Sequence, residues 1–140
     1  IKEDKMKCIL CNSDLEEKAT GTGRAFFENI KQLPSAHSQL LVAVDFGLGP
    51  SYEVVITGNS QAEDTSSILK ALRRKFVPNK VFLLRPVEQE SPEITRLAEF
   101  TKDLSSINGK ATVYMCLNYT CQIPTTDIEQ MLEIIGVQKK

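Results

Sequence analysis

The chain has 140 residues, with 17 lysine and arginine side chains against 18 aspartate and glutamate side chains, and its formal net charge is −1. A balance this close to neutral excludes a nucleic-acid or polybasic membrane interface as the main role, so neither partner is expected. No apolar run reaches the roughly 20 residues that a membrane-spanning helix needs. Four cysteines in a chain without a secretory signal pattern favour reduced thiols and a cytoplasmic location.

The first 48 residues combine a leader without clear periodicity and the pattern of two helices. A capping box at Ser13 to Glu16 precedes apolar residues at helical spacing, which predicts a helix over about residues 14–31. Pro34 ends that helix, and a second helical pattern runs on to Gly47. We therefore expect residues 1–48 to form a leader and an αα-hairpin.

From residue 51 onward, strand patterns alternate with helical patterns. Three runs dense in β-branched and other apolar residues, at 53–57, 80–85 and 111–116, read as buried strands. The helices that follow them are expected to begin at Ser60, at Ser91-Pro92 and at Thr126. This alternation predicts an α/β fold over residues 51–140, with a three-stranded, mainly parallel sheet and flanking helices.

The carboxyl ends of parallel strands meet at one edge of a sheet, and that edge is where open α/β sheets bind ligands. A helix amino terminus at Ser60 would offer free N–H groups and a partial positive charge to a small anion such as a phosphate. The alternative is that these residues only form turns and cap helices. The ligand-binding candidates at this edge are Gly58, Asn59, Ser60, Arg85 and Asn118.

The four cysteines fall in two pairs, Cys8 with Cys11 and Cys116 with Cys121. Four thiolates are the number that a tetrahedral structural zinc site uses, so a zinc site or a redox-active thiol pair is one hypothesis. The alternative is that the cysteines are small buried apolar residues or inert thiols. His37 is the only histidine, which excludes metal sites that need two imidazoles.

Three long motifs occur in a fixed order along the chain: PSAHSQLLVAVDFGLGPSYEVVITGN, DTSSILKALRRKFVPNKVFLLRP and ATVYMCLNYTCQIPTTD. With them the sequence resembles the C-terminal region of the spermatogenesis-associated, thioredoxin-domain-containing protein family, over about residues 14–135. In that family a thioredoxin-like domain is followed by an α/α barrel similar to six-hairpin glycosidases, and then by an α/β tail. The resemblance implies that residues 14–48 are the end of the barrel and that residues 51–138 are the tail.

The resemblance implies no catalytic residue for this chain, since the tryptophan and C-x-x-C motif of the family and nearly all of its barrel helices are missing. Because the chain opens on Ile1, we expect it to be a piece of a longer protein. The main hypothesis is then a non-catalytic module that packs against the barrel. It predicts that the hairpin in isolation exposes Phe26, Phe27, Leu40 and Leu41, or buries them in a homo-oligomer.

Overall fold

A four-stranded sheet with helices on both faces lies at the centre of the computed structural model, which describes residues 13–117 and 120–136. Two helices precede the sheet, and three more are inserted between its strands or follow them. The helices are α1 (Ser13–Gln32), α2 (Ser38–Leu48), α3 (Glu63–Arg74), α4 (Ile94–Leu97) and α5 (Ile128–Ile134), with 3-10 turns at Pro34–His37 and Glu99–Asp103. The strands are β1 (Tyr52–Gly58), β2 (Lys80–Pro86), β3 (Thr112–Leu117) and β4 (Thr120–Cys121).

The sheet is mixed, which corrects the prediction of a three-stranded, mainly parallel one. The strand order is β2-β1-β3-β4, and β2 runs parallel to β1. In contrast, β3 runs antiparallel to β1, with Tyr52 opposite Leu117, and β4 runs antiparallel to β3. The α/β class and the flanking helices are confirmed, whereas the third predicted strand runs in the opposite direction and a short fourth strand joins it.

The connection between β2 and β3 explains the reversed direction. A third parallel strand would need a long crossover, usually a helix, that carries the chain back along the sheet. The sequence predicts such a helix from Ser91-Pro92, but the chain forms only the four residues of α4 and a five-residue 3-10 turn, separated at Ala98. The segment therefore returns to the edge that it left, and β3 begins there, with Thr112 opposite Thr57.

Two helix starts also differ from the sequence prediction. Helix α3 begins at Glu63 after Ala62, which offers no capping side chain, whereas Ser60 lies in the turn before it. Helix α5 is capped by Asp127, whose carboxylate accepts from the backbone N–H groups of Glu129 and Gln130. In both places a capping motif lies within a few residues of the true start, but a neighbouring residue fills the cap position.

One face of the sheet packs against α3 and α5 and forms the hydrophobic core. Alternate residues of β1 and β3 point into this layer, as the period of two in a strand requires. The core side chains are Val54 and Ile56 from β1, Ala111, Val113 and Met115 at β3, Ile68 and Leu72 from α3, and Met131 and Ile135 from α5. Phe82 and Leu84 of β2 pack against its margin.

The segment between β2 and β3 covers the other face. Val55 of β1 is 3% exposed on this side, and Thr101 of the 3-10 turn is fully buried. Tyr114 donates from its hydroxyl to the Ser105 carbonyl at 2.7 Å, and Arg85 donates from Nη2 to the Lys102 carbonyl at 3.2 Å. Strand β1 is therefore enclosed on both faces.

Helices α1 and α2 stand outside this layered unit. Among residues 14 and 17–48, for which exposure is described, none is buried. A hydrogen bond from Asn79 Nδ2 to Asp45 Oδ2 at 3.0 Å joins α2 to the turn before β2. No helix in the described ranges has the length and apolar character to cross a bilayer. The proposed domain boundary between residues 48 and 51 stays a prediction.

The difference between core and hairpin predicts two contrasting alanine substitutions. Met131 is fully buried in the core, so Met131→Ala is expected to lower the free energy of unfolding by about 2–5 kcal/mol. Val42 on α2 is 62% exposed, so Val42→Ala should change it by no more than about 0.5 kcal/mol. Urea denaturation of the 140-residue chain measures both. Equal costs would contradict the assignment of the core.

Candidate functional site

The turn after β1 is the place where the sequence predicts an anion. Ser60 lies there, and its backbone N–H donates to both carboxylate oxygens of Glu88, each at 3.2 Å. The Ser60 hydroxyl also donates to Glu88 Oε1. The side chain of Asn59 accepts from the Gln61 N–H at 2.9 Å, which closes the turn. The N–H group expected to bind an external anion is thus engaged by a carboxylate of the chain itself.

The charge at this turn follows from those contacts. Hydrogen bonding from the Ser60 hydroxyl is the main cause that lowers the pKa of Glu88 below its ordinary value. The carboxylate is therefore ionised at neutral pH and would repel a second anion. Anion binding at Ser60 stays a prediction, and it would require Glu88 to move away first.

The structure does not bring all five predicted edge residues together. Arg85 lies on the face of the sheet opposite α3 and α5, where its guanidinium donates to the Lys102 carbonyl. Its Nε atom is buried and has no hydrogen-bond partner among the described residues. Asn118 lies outside the described residues, and β3 ends beside the start of β1, because Leu117 is opposite Tyr52. The antiparallel direction of β3 thus sends its carboxyl end to the opposite edge from Ser60.

Gly58 has a packing role at the end of β1. A Cβ atom built at this position would lie 2.4 Å from Thr65 Oγ1 and 3.0 Å from the Cβ atom of Ala111. Thr65 is fully buried, so its side chain has little room to move. Glycine is therefore what lets α3 approach the end of β1 this closely.

Asp64 is a residue that the sequence reasoning missed. Its Oδ2 atom accepts from the Ala111 N–H at 2.8 Å, and its Oδ1 atom accepts from the Thr65 N–H at 2.7 Å. The hydrogen bond from Ala111 is the largest cause that lowers the pKa of Asp64. One carboxylate thus joins the start of α3 to the residue before β3. An acidic residue in a first helical turn is the only signal in the sequence, and it does not reveal the distant partner.

Cys116 and Cys121 face each other across β3 and β4 and are joined by a disulfide, with Cα atoms 3.9 Å apart. The expectation of reduced thiols is corrected for this pair, because the antiparallel pairing of β3 with β4 places the two residues directly opposite each other. Within the described part of the chain, no three His, Cys, Asp or Glu side chains are placed to hold a metal ion. Cys8 and Cys11 lie outside that part, so the zinc site stays a prediction.

An apolar groove lies between α1 and α2, with a volume of about 910 Å³. Helix α2 contributes Leu40, Leu41 and Val44 to its wall, and α1 contributes Phe27 and Ile30. The expected exposure of the hairpin is confirmed for Phe26 at 47%, Phe27 at 59% and Leu41 at 38%, while Leu40 is partly buried. The groove offers apolar contact and little polar chemistry, which suits packing rather than catalysis.

The contacts of Asp64 predict a pH-dependent contribution to stability. Because the folded-state pKa lies below the ordinary value of 3.8, this contribution is present at neutral pH and is lost as the pH falls through the folded-state pKa. Asp64→Ala should lower the free energy of unfolding by about 1 kcal/mol at pH 7, an amount that allows for the solvent exposure of the carboxylate.

The difference between Asp64→Ala and the unmodified chain should shrink below pH 3.8, as measured by thermal unfolding. Glu63→Ala is the matched control, because it removes a carboxylate from the same helical turn and leaves the bond to Ala111 intact. A pH-independent loss in Asp64→Ala would contradict the role of the ionised carboxylate.

Comparison with known proteins gives relatives for most of the chain. Over 116 residues, or 83% of its length, the chain is 28% identical to spermatogenesis-associated protein 20 of Homo sapiens and 29% identical to the proteins of that name in Rattus norvegicus and Mus musculus. It spans about 15% of the length of each of these relatives. No protein-family model and no solved structure matches it. The chain is therefore related to one part of spermatogenesis-associated protein 20, as its ordered motifs predict.

Proposed function

We propose that this chain is a non-catalytic α/β module of a longer protein related to spermatogenesis-associated protein 20, and that it packs through α1 and α2 against a six-hairpin glycosidase-like α/α barrel in that protein. The observation that carries the proposal is the exposed apolar surface of the hairpin. The share of the relatives that this chain spans is small, so the proposed partner is the remainder of the same protein.

Helix α2 is the strongest support, because most of its side chains are apolar. Its eleven residues, SQLLVAVDFGL, include one charged side chain, Asp45. Helices of this composition are normally buried from every direction. Here Val42 is 62% exposed and Leu48 is 82% exposed. A further layer of protein against α2 would remove this surface from water, which is favourable by roughly 25 cal/mol per Å² of apolar area.

The sheet unit also supports the proposal, because it forms a buried hydrophobic core from its own residues. Val54, Leu72 and Met131 have no exposed surface, and they come from β1, α3 and α5. The unit therefore buries a hydrophobic core without a partner, although Phe76, Leu97 and Ile123 are exposed on its surface. In the hairpin, by contrast, none of the residues whose exposure is described is buried. A folded unit joined to an uncovered helix pair is the arrangement expected of a module that docks onto a larger body.

The absence of a catalytic role is part of the proposal and rests on how the polar groups are used. Ser60 and Glu88 bind each other, Asp64 binds the backbone at Ala111, and Asn59 closes its own turn. We also propose a cytoplasmic location, as the sequence predicts. The disulfide is a feature that is uncommon in reducing compartments, so the redox state of Cys116 in the cell is a direct check of that location.

Hydrogen exchange compares the isolated chain with the full-length gene product that contains it. We expect the amides of α2 to exchange rapidly in the isolated chain and to be protected in the full-length protein, because the barrel covers that helix. Val42→Lys should remove this protection in the full-length protein and change the unfolding of the isolated chain little, since Val42 is 62% exposed there.

Gln39→Lys is the matched control, since it places the same charge on the same helix at an exposed polar residue. It should leave the protection of α2 in place. Equal exchange of α2 in the two proteins, or equal effects of the two lysine variants, would refute packing through this helix.

A second candidate is a thiol–disulfide site at Cys116 and Cys121, which the bond between them favours. Both residues are partly exposed, so an incoming thiolate could attack one sulfur and release the other. Incubation with glutathione and mass spectrometry would then show a mixed disulfide that the Cys116→Ser, Cys121→Ser double variant lacks. No such adduct would leave the bond a structural link between β3 and β4.

A further inference from the structure

Within the described residues, strand β2 forms one end of the sheet and pairs with β1 alone. It has seven residues, KVFLLRP, and each of them is partly exposed. The backbone on its outer side is therefore an open edge of the kind that can accept another strand. This edge lies on the sheet unit and is separate from the hairpin surface.

The hydrogen bonds at the two ends of β2 show which backbone groups face outward. Tyr52 N donates to Asn79 O at 2.7 Å, and Val87 N donates to Gly58 O at 3.2 Å. Successive residues of a strand direct their N–H and C=O groups to opposite sides, so the odd-numbered residues from 79 to 87 face β1. Lys80, Phe82 and Leu84 then present both groups to the free edge. Pro86 presents only its carbonyl, because proline has no N–H.

Charged side chains often prevent a sheet edge from pairing, but the two on β2 form hydrogen bonds elsewhere in the chain. Lys80 donates from Nζ to the carbonyls of Leu72, at 2.7 Å, and Lys75, at 2.6 Å, at the end of α3. Arg85 donates to the Lys102 carbonyl on the far face. The stretch between these two residues, VFLL, carries no charge, proline or glycine that would discourage pairing.

We propose that β2 pairs with β2 of a second copy of this chain, antiparallel about a two-fold axis at Leu83, so that the two sheets become one. The pattern of outward groups is self-complementary in this register. Phe82 lies opposite Leu84 of the second copy, and each such pair exchanges two N–H···O bonds. Lys80 lies opposite Pro86, where the Lys80 N–H meets the proline carbonyl and the missing proline N–H costs one bond at each end of the ladder.

The side chains select the same register. With the axis at Leu83, that residue meets its own copy, and Phe82 meets Leu84, so apolar side chains lie opposite each other. An axis at Phe82 would also align the outward groups, but it would place Lys80 opposite Leu84. The uncharged centre of the strand and the two-fold symmetry of its hydrogen-bonding groups thus favour a second copy over an unrelated strand.

Engineered cysteines test the register in the 140-residue chain, with Cys8→Ser and Cys11→Ser to remove competing thiols. Residues on the axis of such a ladder form a non-hydrogen-bonded pair with Cα atoms about 4.5 Å apart, which is within disulfide range. Leu83→Cys is therefore expected to give a covalent dimer under mild oxidation. Val81→Cys is the matched control. In this register Val81 lies opposite Arg85 of the second copy, so the two introduced thiols are too far apart to form a disulfide. Equal cross-linking of the two variants would overturn the register.

Sedimentation equilibrium tests the association itself. The 15.6 kDa chain should approach twice its mass at about 100 µM, since short interfaces give weak association. Leu84→Pro removes an outward N–H and should therefore give a monomer. Leu83→Lys should also give a monomer, because it places two ammonium groups at the axis. Circular dichroism verifies that each variant remains folded. Val42→Lys alters only the hairpin and should leave the dimer intact. A monomeric unmodified chain, or a dimer lost only in Val42→Lys, would refute pairing through β2.

Discussion

The fold depends on the burial of β1 from both faces. Six of its seven residues are buried, and no other strand within the described ranges is enclosed to this degree. Because Val54 and Val55 point in opposite directions, the chain must supply a layer on each side of the sheet. The core layer comes from α3 and α5, and the segment between β2 and β3 supplies the second. The positions of the turns at the sheet edge, and hence every candidate site on it, follow from this enclosure.

The sequence predicts the strands well because a strand buried on both faces appears in the sequence as a continuous run of β-branched and aliphatic residues. It does not record strand direction, since the period of two is the same for parallel and antiparallel neighbours. Direction was set by whether the chain between β2 and β3 forms a long helix, and that segment broke at Ala98. Thr101 turns its hydroxyl to the Ala98 carbonyl at 2.7 Å, an interaction that competes with helical hydrogen bonding.

The candidate site was less predictable than the fold because its contacts join residues that are far apart in sequence. Ser60 and Glu88 are separated by 28 positions, and Asp64 and Ala111 by 47. Local patterns identified the turn at Ser60 but could not show that a carboxylate from the next strand end would occupy its N–H. The cysteine pair shows the same limit, because the spacing C-x4-C becomes a cross-strand pair only once β4 is known to fold back on β3.

The sheet unit and the hairpin differ in how their polar groups are hydrogen-bonded and in how their apolar groups are buried. In the sheet unit, carboxylates, hydroxyls and amides at the strand ends bind one another, whereas in the hairpin an apolar helix lies open to water. Only three residues separate α2 from β1, and the bond between Asp45 and Asn79 fixes α2 to the turn that leads into β2. A protein domain that covers α2 would therefore lie near the end of the sheet at which β1 and β2 begin. That end is opposite the turn of Ser60 and Glu88, so covering the hairpin would leave the turn accessible to solvent.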